Sequence, residues 1–322
     1  MPEYTPGQGL PLGLPIGTPN NLTSSQVTDV PDELRGTNTP ISSSSGDPGR
    51  LGARDGQPQR RVTHRRLSSI VEQMVDRDHA VLRQIAQHRF LTTVQLQHLV
   101  FTGHETDASA ARTTRRVLSR LERWGLIRML HRRVGGARAG STARIWQLAP
   151  GGARLVQSDG ATYRTSEPSL RFLRHCLAVG DVHVLLSRHR AIETIEDIRV
   201  EVEPDCWRRY TGPGGEPKWL QPDLAATIAT ADYEDRWFIE VDLGTESLPT
   251  LLRKCGHYET YLASGQEQQA HGSFPLVLWV FSDPSRARRL REAVAKTPRL
   301  TPELYRFAVP HTVASVLSGG SS

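Results

Sequence analysis

The fold of the first half of this chain is decided by residues 112–127, which read RTTRRVLSRLERWGLI. Wound as a helix at about 100° per residue, this stretch collects its core-forming side chains on one face. They are Thr114, Val117, Leu118, Leu121 and Trp124. The opposite face is a stripe of guanidinium groups formed by Arg112, Arg116, Arg120 and Arg123, with Arg115 at its flank. The pattern predicts a helix that buries one face, exposes arginines on the other and ends at Gly125.

The sequence on either side of this helix predicts a winged helix-turn-helix domain over residues 76–150. Upstream, Asp78 can cap a first helix, Thr92 or Thr93 a second that ends at Gly103, and Asp107 or Ser109 the third. Downstream, residues 126–130 and 143–148 read as two short strands. The turn region between the strands carries Arg132, Arg133 and Arg138. In this fold the third helix enters the major groove of double-stranded DNA, and the hairpin reaches a phosphate or the minor groove.

The distribution of charge supports a polyanionic partner for this domain. Residues 60–150 hold 17 arginines and 6 acidic residues, a net charge of +11, whereas residues 1–59 carry −3 and residues 151–322 carry −2. A basic segment of this kind is the electrostatic footprint of nucleic-acid binding. Only three of the 40 basic residues are lysines, so a general preference for arginine contributes. The alternative interpretation is therefore a solvated helix face in an arginine-rich protein.

The ends of the chain predict little regular structure. Residues 1–57 are rich in Pro, Gly and Ser and predict a disordered tail or a partner-binding segment, and residues 313–322 predict a second disordered tail. Residues 58–75 predict a basic linker that leads into a helix. Neither a secretory signal nor an apolar run long enough for a membrane span is recognisable. Three widely spaced cysteines disfavour a structural zinc site, and a cytoplasmic location is expected.

Residues 165–312 predict a second, α/β domain in which a mixed sheet is covered by helices. The predicted helices span 170–189, 250–263 and 284–296, and the predicted strands span 198–203, 219–229, 236–243, 275–281 and 305–309. The fold class of the whole chain is therefore α+β.

Carboxylates mark two neighbouring strands of this second domain. Asp223 lies within one predicted strand, and Glu240 and Asp242 are two residues apart on the next, so both point to the same face. Lys254 follows on the next helix and can lean over the sheet. Clustered carboxylates need a compensating cation, and Mg²⁺ held by Asp223, Glu240 and Asp242 is one solution. The structural alternative is a set of solvated carboxylates at strand ends.

The order helix, strand, strand with PD, strand with E-x-D, helix, strand resembles the PD-(D/E)xK nuclease fold. That resemblance implies metal ligands at Asp223 and Glu240 and a catalytic lysine two residues after the Glu. Here Asp242 stands where that lysine would be, and Lys254 is the candidate replacement. A degenerate, inactive fold is equally compatible.

Residues 76–310 resemble the replication-relaxation family of plasmids and integrative elements. The resemblance is carried by five stretches, at 77–101, 116–127, 172–186, 221–223 and 238–265, of which the last, FIEVDLGTESLPTLLRKCGHYETYLASG, is the most specific. It implies a role in the replication or DNA relaxation of a mobile element. It also implies that the family's Asp, Glu, Asp and helix Lys correspond to Asp223, Glu240, Asp242 and Lys254.

Three hypotheses for the function remain open. The first is a DNA-binding replication accessory or initiator protein, the second a metal-dependent nickase, and the third a winged-helix transcriptional regulator. Partners consistent with them are double-stranded DNA, replication or relaxosome proteins and a second copy of the chain, but not a membrane. A tyrosine relaxase is disfavoured, because Tyr258 and Tyr261 lie in a packing pattern and no His-x-His cluster accompanies them.

Overall fold

Five helices and a small antiparallel sheet form the first half of the chain, as far as the structure describes it. The computed structural model describes residues 62–130, 144–156, 167–189 and 195–319. The first elements are α1 (His64–Val71), α2 (Asp76–His88), β1 (Leu91–Thr92), α3 (Thr93–Val100), α4 (Asp107–Arg123), β2 (Ile127–Leu130), β3 (Ile145–Leu148) and α5 (Pro150–Val156). The strands are ordered β1-β3-β2, with both neighbours of β3 antiparallel to it.

The helix starts of this half differ slightly from the sequence-based expectation. Thr92 does cap α3, since its hydroxyl accepts a hydrogen bond from the N–H of Gln95 at 3.1 Å. The cap of α4 is Thr106, one residue before the predicted Asp107, and it binds the N–H of Ser109. The helix α2 begins at Asp76, so Asp78 lies inside its first turn rather than at its cap.

The linker predicted over residues 58–75 is wrong in one respect, because α1 is part of the core. Leu67 and Ile70 on this helix are buried and pack in the same cluster as Leu82, Leu121 and Trp146. The apolar spacing of Leu67 and Ile70, three residues apart, places both on one face of a helix. The basic residues around them therefore decorate a packed helix.

A five-stranded mixed sheet organises the second half. The helices and strands of this half are α6 (Leu170–His189), β4 (Ile195–Val202), β5 (Arg208–Thr211), β6 (Pro217–Leu220), β7 (Leu224–Thr230), β8 (Glu234–Asp242), α7 (Leu248–Ser264), α8 (Gln266–His271), β9 (Leu276–Phe281), α9 (Pro284–Ala295), β10 (Tyr305–Ala308) and α10 (Val313–Leu317). The strand order is β10-β9-β8-β7-β4, parallel from β8 to β10 and antiparallel from β8 to β4. The predicted α+β class with a mixed sheet is confirmed.

The side chains of β8 alternate between the two faces of this sheet. Ile239 and Val241 pack in the cluster that includes α6 and α10. Phe238 packs on the opposite face with α7 and α9, so Glu240 and Asp242 lie on that face too. Because β8 has β7 on one side and β9 on the other, its charged end is positioned by two flanking strands and by helices on both faces.

Two sequence-based predictions for this half are wrong. The strand predicted at 219–229 is two strands, because residues 217–220 pair with β5 in a separate hairpin and the main sheet resumes only at Leu224. Residues 313–319 are no disordered tail, since α10 buries Val313, Val316 and Leu317 against the sheet. Each of these three apolar side chains is at most 4% exposed, which explains why the segment is ordered.

The helix α6 joins the two halves, which belong to one compact unit. The amide Nε2 of Gln95 donates to the carbonyl of Leu177 and to Oδ1 of Asp181, both at 2.7 Å. His88 Nε2 lies 2.8 Å from His183 Nδ1 in the same interface. Burial lowers the pKa of both rings, to about 3 for His88, with His183 contributing, and to about 4 for His183. None of the helices in the described residues is long and apolar enough to cross a bilayer.

Candidate functional site

The helix α4 presents one exposed basic surface, which we call the α4 arginine face. It consists of Arg112, Arg115, Arg116 and Arg123. The opposite side of the helix is anchored in the core by Val117, Leu118 and Leu121. No carboxylate of the described residues forms an ion pair with any of the four arginines. Their charge is therefore available to an external anion.

Arg120 does not belong to this face, although its spacing suggested that it would. Its Nη2 lies 2.6 Å from Oδ1 of the fully buried Asp78, and its guanidinium lies 5.1 Å from the centre of the Trp124 ring. On a helix, Arg120 is about 80° away from Arg112, towards the buried side. The structure therefore assigns Arg120 to an internal ion pair that fastens α4 to α2.

The three arginines predicted in the hairpin, Arg132, Arg133 and Arg138, lie outside the described residues. The strands that flank them are described. Trp146 on β3 is buried, and its indole N–H donates to the hydroxyl of Thr93 at 2.9 Å. The hairpin is thus tied to the start of α3.

A second charged group, the Glu240 cluster, lies where β7 begins and β8 ends. It consists of Asp223, Glu240, Lys254, Tyr258 and His175. The backbone N–H of Asp223 bonds to the carbonyl of Ile239, one position before Glu240. The two predicted carboxylates therefore sit on adjacent strands, and each affects the electrostatics of the other.

Asp223 is held by two donors. Its Oδ2 accepts the backbone N–H of Val241 at 2.7 Å, just beyond the last residue pair of β7 and β8. Its Oδ1 lies 3.1 Å from Nε2 of His175 on α6. This hydrogen bond raises the pKa of His175, although partial burial opposes the shift. His175 therefore links α6 to the carboxylate end of the sheet.

Glu240 is buried but fully partnered. Lys254 Nζ lies 3.1 Å from Oε2, and the hydroxyl of Tyr258 donates to Oε1 at 2.7 Å. Burial raises the pKa of Glu240 to about 7, while Lys254 and the hydrogen bond from Tyr258 oppose the shift. Burial also acts to lower the pKa of Lys254, but Glu240, Asp223 and the more distant Glu246 together raise it. Burial thus makes the Glu240 carboxyl group harder to ionise, while the neighbouring carboxylates hold Lys254 protonated.

Asp242 does not join this cluster. Its Oδ2 is bound by the guanidinium of Arg286 on α9, and its Oδ1 accepts the N–H of Gly244 at 3.1 Å. Within the described ranges, no three His, Cys, Asp or Glu side chains are grouped so as to hold a metal ion. Asp223 and Glu240 remain as a pair, and Mg²⁺ is commonly bound by one or two carboxylates together with substrate phosphates. Asp223 and Glu240 are thus the remaining oxygen ligands of the kind that Mg²⁺ uses, but their oxygens already accept from Lys254, Tyr258 and the N–H of Val241, so a bound cation would have to displace such donors.

A protein-family model described as replication-relaxation matches residues 82–277. The chain belongs to the replication-relaxation family. The matched region includes the α4 arginine face together with Asp223, Glu240 and Lys254. The predicted family is thus confirmed, and membership assigns the chain a role in replication or relaxation.

Two further comparisons add little to the family assignment. No curated protein matches the chain. Among solved structures, the restriction endonuclease FokI is similar at a TM-score of 0.23 and 12% identity, over 76% of this chain and 44% of that protein. The chain thus spans less than half the length of that enzyme, and a likeness at this level carries no argument about the site.

Several residues that complete the sites of this replication-relaxation protein carry no signal in the sequence. His175 and Arg286 are 48 and 44 residues from their partners Asp223 and Asp242, so only the tertiary fold brings them together. Tyr258 could be recognised as a core residue from its helical spacing, but not as a hydrogen-bond donor to Glu240. Its hydroxyl is buried and its pKa is raised well above the usual value, first by burial and then by Glu240.

Proposed function

We propose that this chain binds double-stranded DNA through the α4 arginine face during the replication or relaxation of a plasmid or an integrative element. The observation that carries the proposal is the set of four exposed arginines on one side of a helix whose other side is fixed in the core. Guanidinium groups bind phosphates and guanine edges in bidentate geometry, and the major groove is wide enough to admit the helix that carries them.

The elements around α4 support a winged helix-turn-helix mode of binding. The helix α3 precedes α4 and packs against it, and the β2–β3 hairpin follows. In proteins of this architecture the second helix of the pair lies in the major groove, while the hairpin contacts the backbone. Arg112, Arg115 and Arg116 then contact DNA from the first half of the helix, and Arg123 from its last turn. Arg132, Arg133 and Arg138 are the proposed contacts of the hairpin.

Salt dependence of duplex binding tests this proposal. The double variant Arg112→Ala, Arg116→Ala should lower the slope of log K against log salt by about two units, because each lost phosphate contact removes about 0.9. The matched control is Arg288→Ala, Arg289→Ala, which removes the same charge from exposed positions on α9. An equal change in both variants would show that only net charge matters, and it would reject the recognition-helix assignment.

We propose as a second candidate that the Glu240 cluster nicks DNA with the help of a divalent cation. The observation that favours it is the proximity of two carboxylates, Asp223 and Glu240, to Lys254 at the place where β7 begins and β8 ends. Bound Mg²⁺ supplies Lewis-acid stabilisation of charge on a phosphate. Asp223 and Glu240 would hold it, Lys254 would contribute positive charge at the scissile phosphate, and Asp242 would serve only to position α9.

A supercoiled plasmid that carries the element's own origin tests the second candidate. Nicking should require Mg²⁺ or Mn²⁺, should stop in EDTA, and should be lost in Glu240→Gln and in Lys254→Ala. The control Glu292→Gln changes an exposed carboxylate on α9 and should nick normally. Intact DNA binding without metal-dependent nicking would reject the nickase and leave the DNA-binding proposal standing.

A further inference from the structure

The first two turns of α6 expose a second pair of arginines close to the Glu240 cluster. Arg171 and Arg174 are both exposed, and we call them the α6 rim. Their spacing of three residues places them on one side of the helix. His175, which contacts Asp223 at 3.1 Å, lies about 40° from Arg171 on the same side. The α6 rim therefore borders the helix surface that leads to Asp223.

The charges of the α6 rim are uncompensated within the described part of the chain. Other arginines nearby are paired, as Arg89 is with Glu203 at 3.2 Å and Arg208 with Glu201 at 2.7 Å. Neither Arg171 nor Arg174 has such a carboxylate partner among the described residues. The domain around them has a net charge of −2 over residues 151–322, and α9 exposes a comparable pair, Arg288 and Arg289.

The position of these cations suits a polyanion better than an isolated surface charge. A phosphate chain that approaches Asp223 meets a partly exposed carboxylate, and exposed guanidinium groups beside it offset that repulsion. Phe172, between the two arginines, is 36% exposed and carries the guanidinium of Arg89 over its ring at 5.4 Å. A third arginine is thereby held next to the rim.

We propose that Arg171 and Arg174 bind the phosphate backbone of double-stranded DNA, as a contact separate from the α4 arginine face. The inference rests on the proposed function in that the ligand is DNA, but it assigns a second surface in the other half of the chain. Binding is by charge-assisted hydrogen bonds to phosphate oxygens and carries no base specificity. This surface brings the backbone alongside Asp223, at the end of the Glu240 cluster that His175 contacts.

The test compares three double variants of the full chain on a linear duplex of random sequence. Arg171→Ala, Arg174→Ala should lower the salt slope of binding by about two units, through two lost phosphate contacts. Arg288→Ala, Arg289→Ala removes the same charge on α9, which packs on the opposite face of the sheet, and should leave the slope within half a unit of wild type. Arg112→Ala, Arg116→Ala reports on the proposed function.

The outcomes separate the two proposals. If the salt slope falls in the α4 variant but not in the α6 variant or the α9 control, DNA binding by the α6 rim is rejected and the proposed function stands. If the salt slope falls in the α6 variant but not in the α4 variant, DNA binding by the α6 rim is supported and DNA binding by the α4 arginine face is rejected. An equal loss in the α6 and α9 variants also rejects the rim, since it reports net charge alone.

A conservative variant guards against a folding artefact. Arg171→Lys, Arg174→Lys keeps both charges, and it should retain most of the slope because the contact is to phosphates. Hydroxyl-radical footprinting of the wild type should show a protected stretch of backbone that shortens at one end in the alanine variant. An unchanged footprint in a folded alanine variant would overturn the proposal.

Discussion

The α4 arginine face and the Glu240 cluster both gather several charges, yet they balance them in different ways. The four arginines of α4 are exposed and have no acidic partner among the described residues. In the cluster, Glu240 is 2% exposed, and each of its two oxygens has a donor in the chain. The first group therefore presents its charge to a partner, whereas the second satisfies its charge internally.

This difference teaches how substitutions in the two regions should be separated. A solvated charge costs the fold little, so its removal is expected to act on binding first. A buried charge is expensive without its partner, so its removal acts on the free energy of unfolding first. The comparison would be contradicted by a substitution in the α4 arginine face that unfolds the protein, or by a substitution of Glu240 that leaves the free energy of unfolding unchanged.

The largest effect is expected for Glu240→Ala. It leaves Lys254 without its closest carboxylate and Tyr258 without an acceptor, and it should lower the free energy of unfolding by about 3 kcal/mol. The value is at the low end for a buried pair because the Lys254 side chain is 35% exposed. The control Glu246→Ala removes a carboxylate 3.7 Å from the same lysine but more exposed, and should cost under about 1 kcal/mol. Urea denaturation measures both, and equal values would contradict the assignment of a buried pair.

Arg120→Ala should have the next largest effect on stability, and it should distinguish Arg120 from the exposed arginines of the same helix. The substitution leaves the buried Asp78 unpaired and should lower the free energy of unfolding by about 2 kcal/mol, after allowance for the partial exposure of Arg120. Adding Asp78→Asn should recover part of the loss, because the uncompensated charge is gone. If Arg120→Ala lowers the free energy of unfolding no more than a substitution in the α4 arginine face does, Arg120 should be assigned to that face instead.

The pH dependence of stability probes the contact between the two halves of the chain, which His88 on α2 and His183 on α6 form. Burial lowers the pKa of His88 to about 3 and of His183 to about 4, so the unfolded chain binds more protons between those values and 6.5. Their contribution is full above pH 6.5 and is lost as the pH falls, by about 1.4 kcal/mol per pH unit for each ring. His183→Gln should remove about half of this slope between pH 6.5 and 5. Unfolding measured across that range with an unchanged slope would contradict the role of the pair.

The smallest expected effect on stability is that of Arg116→Ala. This arginine is exposed in the middle of the α4 arginine face, so unfolding should change by less than about 0.5 kcal/mol. Duplex binding should lose about one unit of salt slope. Arg116→Lys should restore most of that slope if the contact is to a phosphate. Destabilisation comparable to that of Arg120→Ala would erase the distinction between the two arginines.

Local patterns in the sequence were sufficient to predict most elements of the fold. The helix at Leu170–His189 has the bounds that its apolar spacing indicates, and β8, α7 and β9 lie within a few residues of their predicted limits. The same patterns place Glu240 and Asp242 on one face of a strand and Lys254 on the following helix. Periodicity and turn residues are local properties, and they can be recognised without knowledge of the tertiary structure.

The partners of charged residues could not be predicted in this way. Arg120 and Asp78 are 42 residues apart, and nothing in either neighbourhood indicates that they meet. Asp242 has the spacing of a metal ligand, yet Arg286 from a distant helix binds it. The break at residues 221–223 was missed, although Pro222, which has no backbone N–H to donate, lies within it. Which charges remain free depends on contacts between elements, and these are long-range.

The glycine at position 180 determines how closely α6 can lie against α3. A Cβ there would come within 2.9 Å of Leu91 Cδ2 on β1 and 3.1 Å of Gln95 Nε2 on α3, so these two side chains would have to shift. Gly180 lies on the same helix as the α6 rim, and α3 packs against α4. Because α3 packs against both helices, the two arginine surfaces are held at a fixed separation. Since the α6 rim contacts phosphates without base specificity, this separation should fix the length of duplex that the protein covers, whatever the sequence between the two contacts.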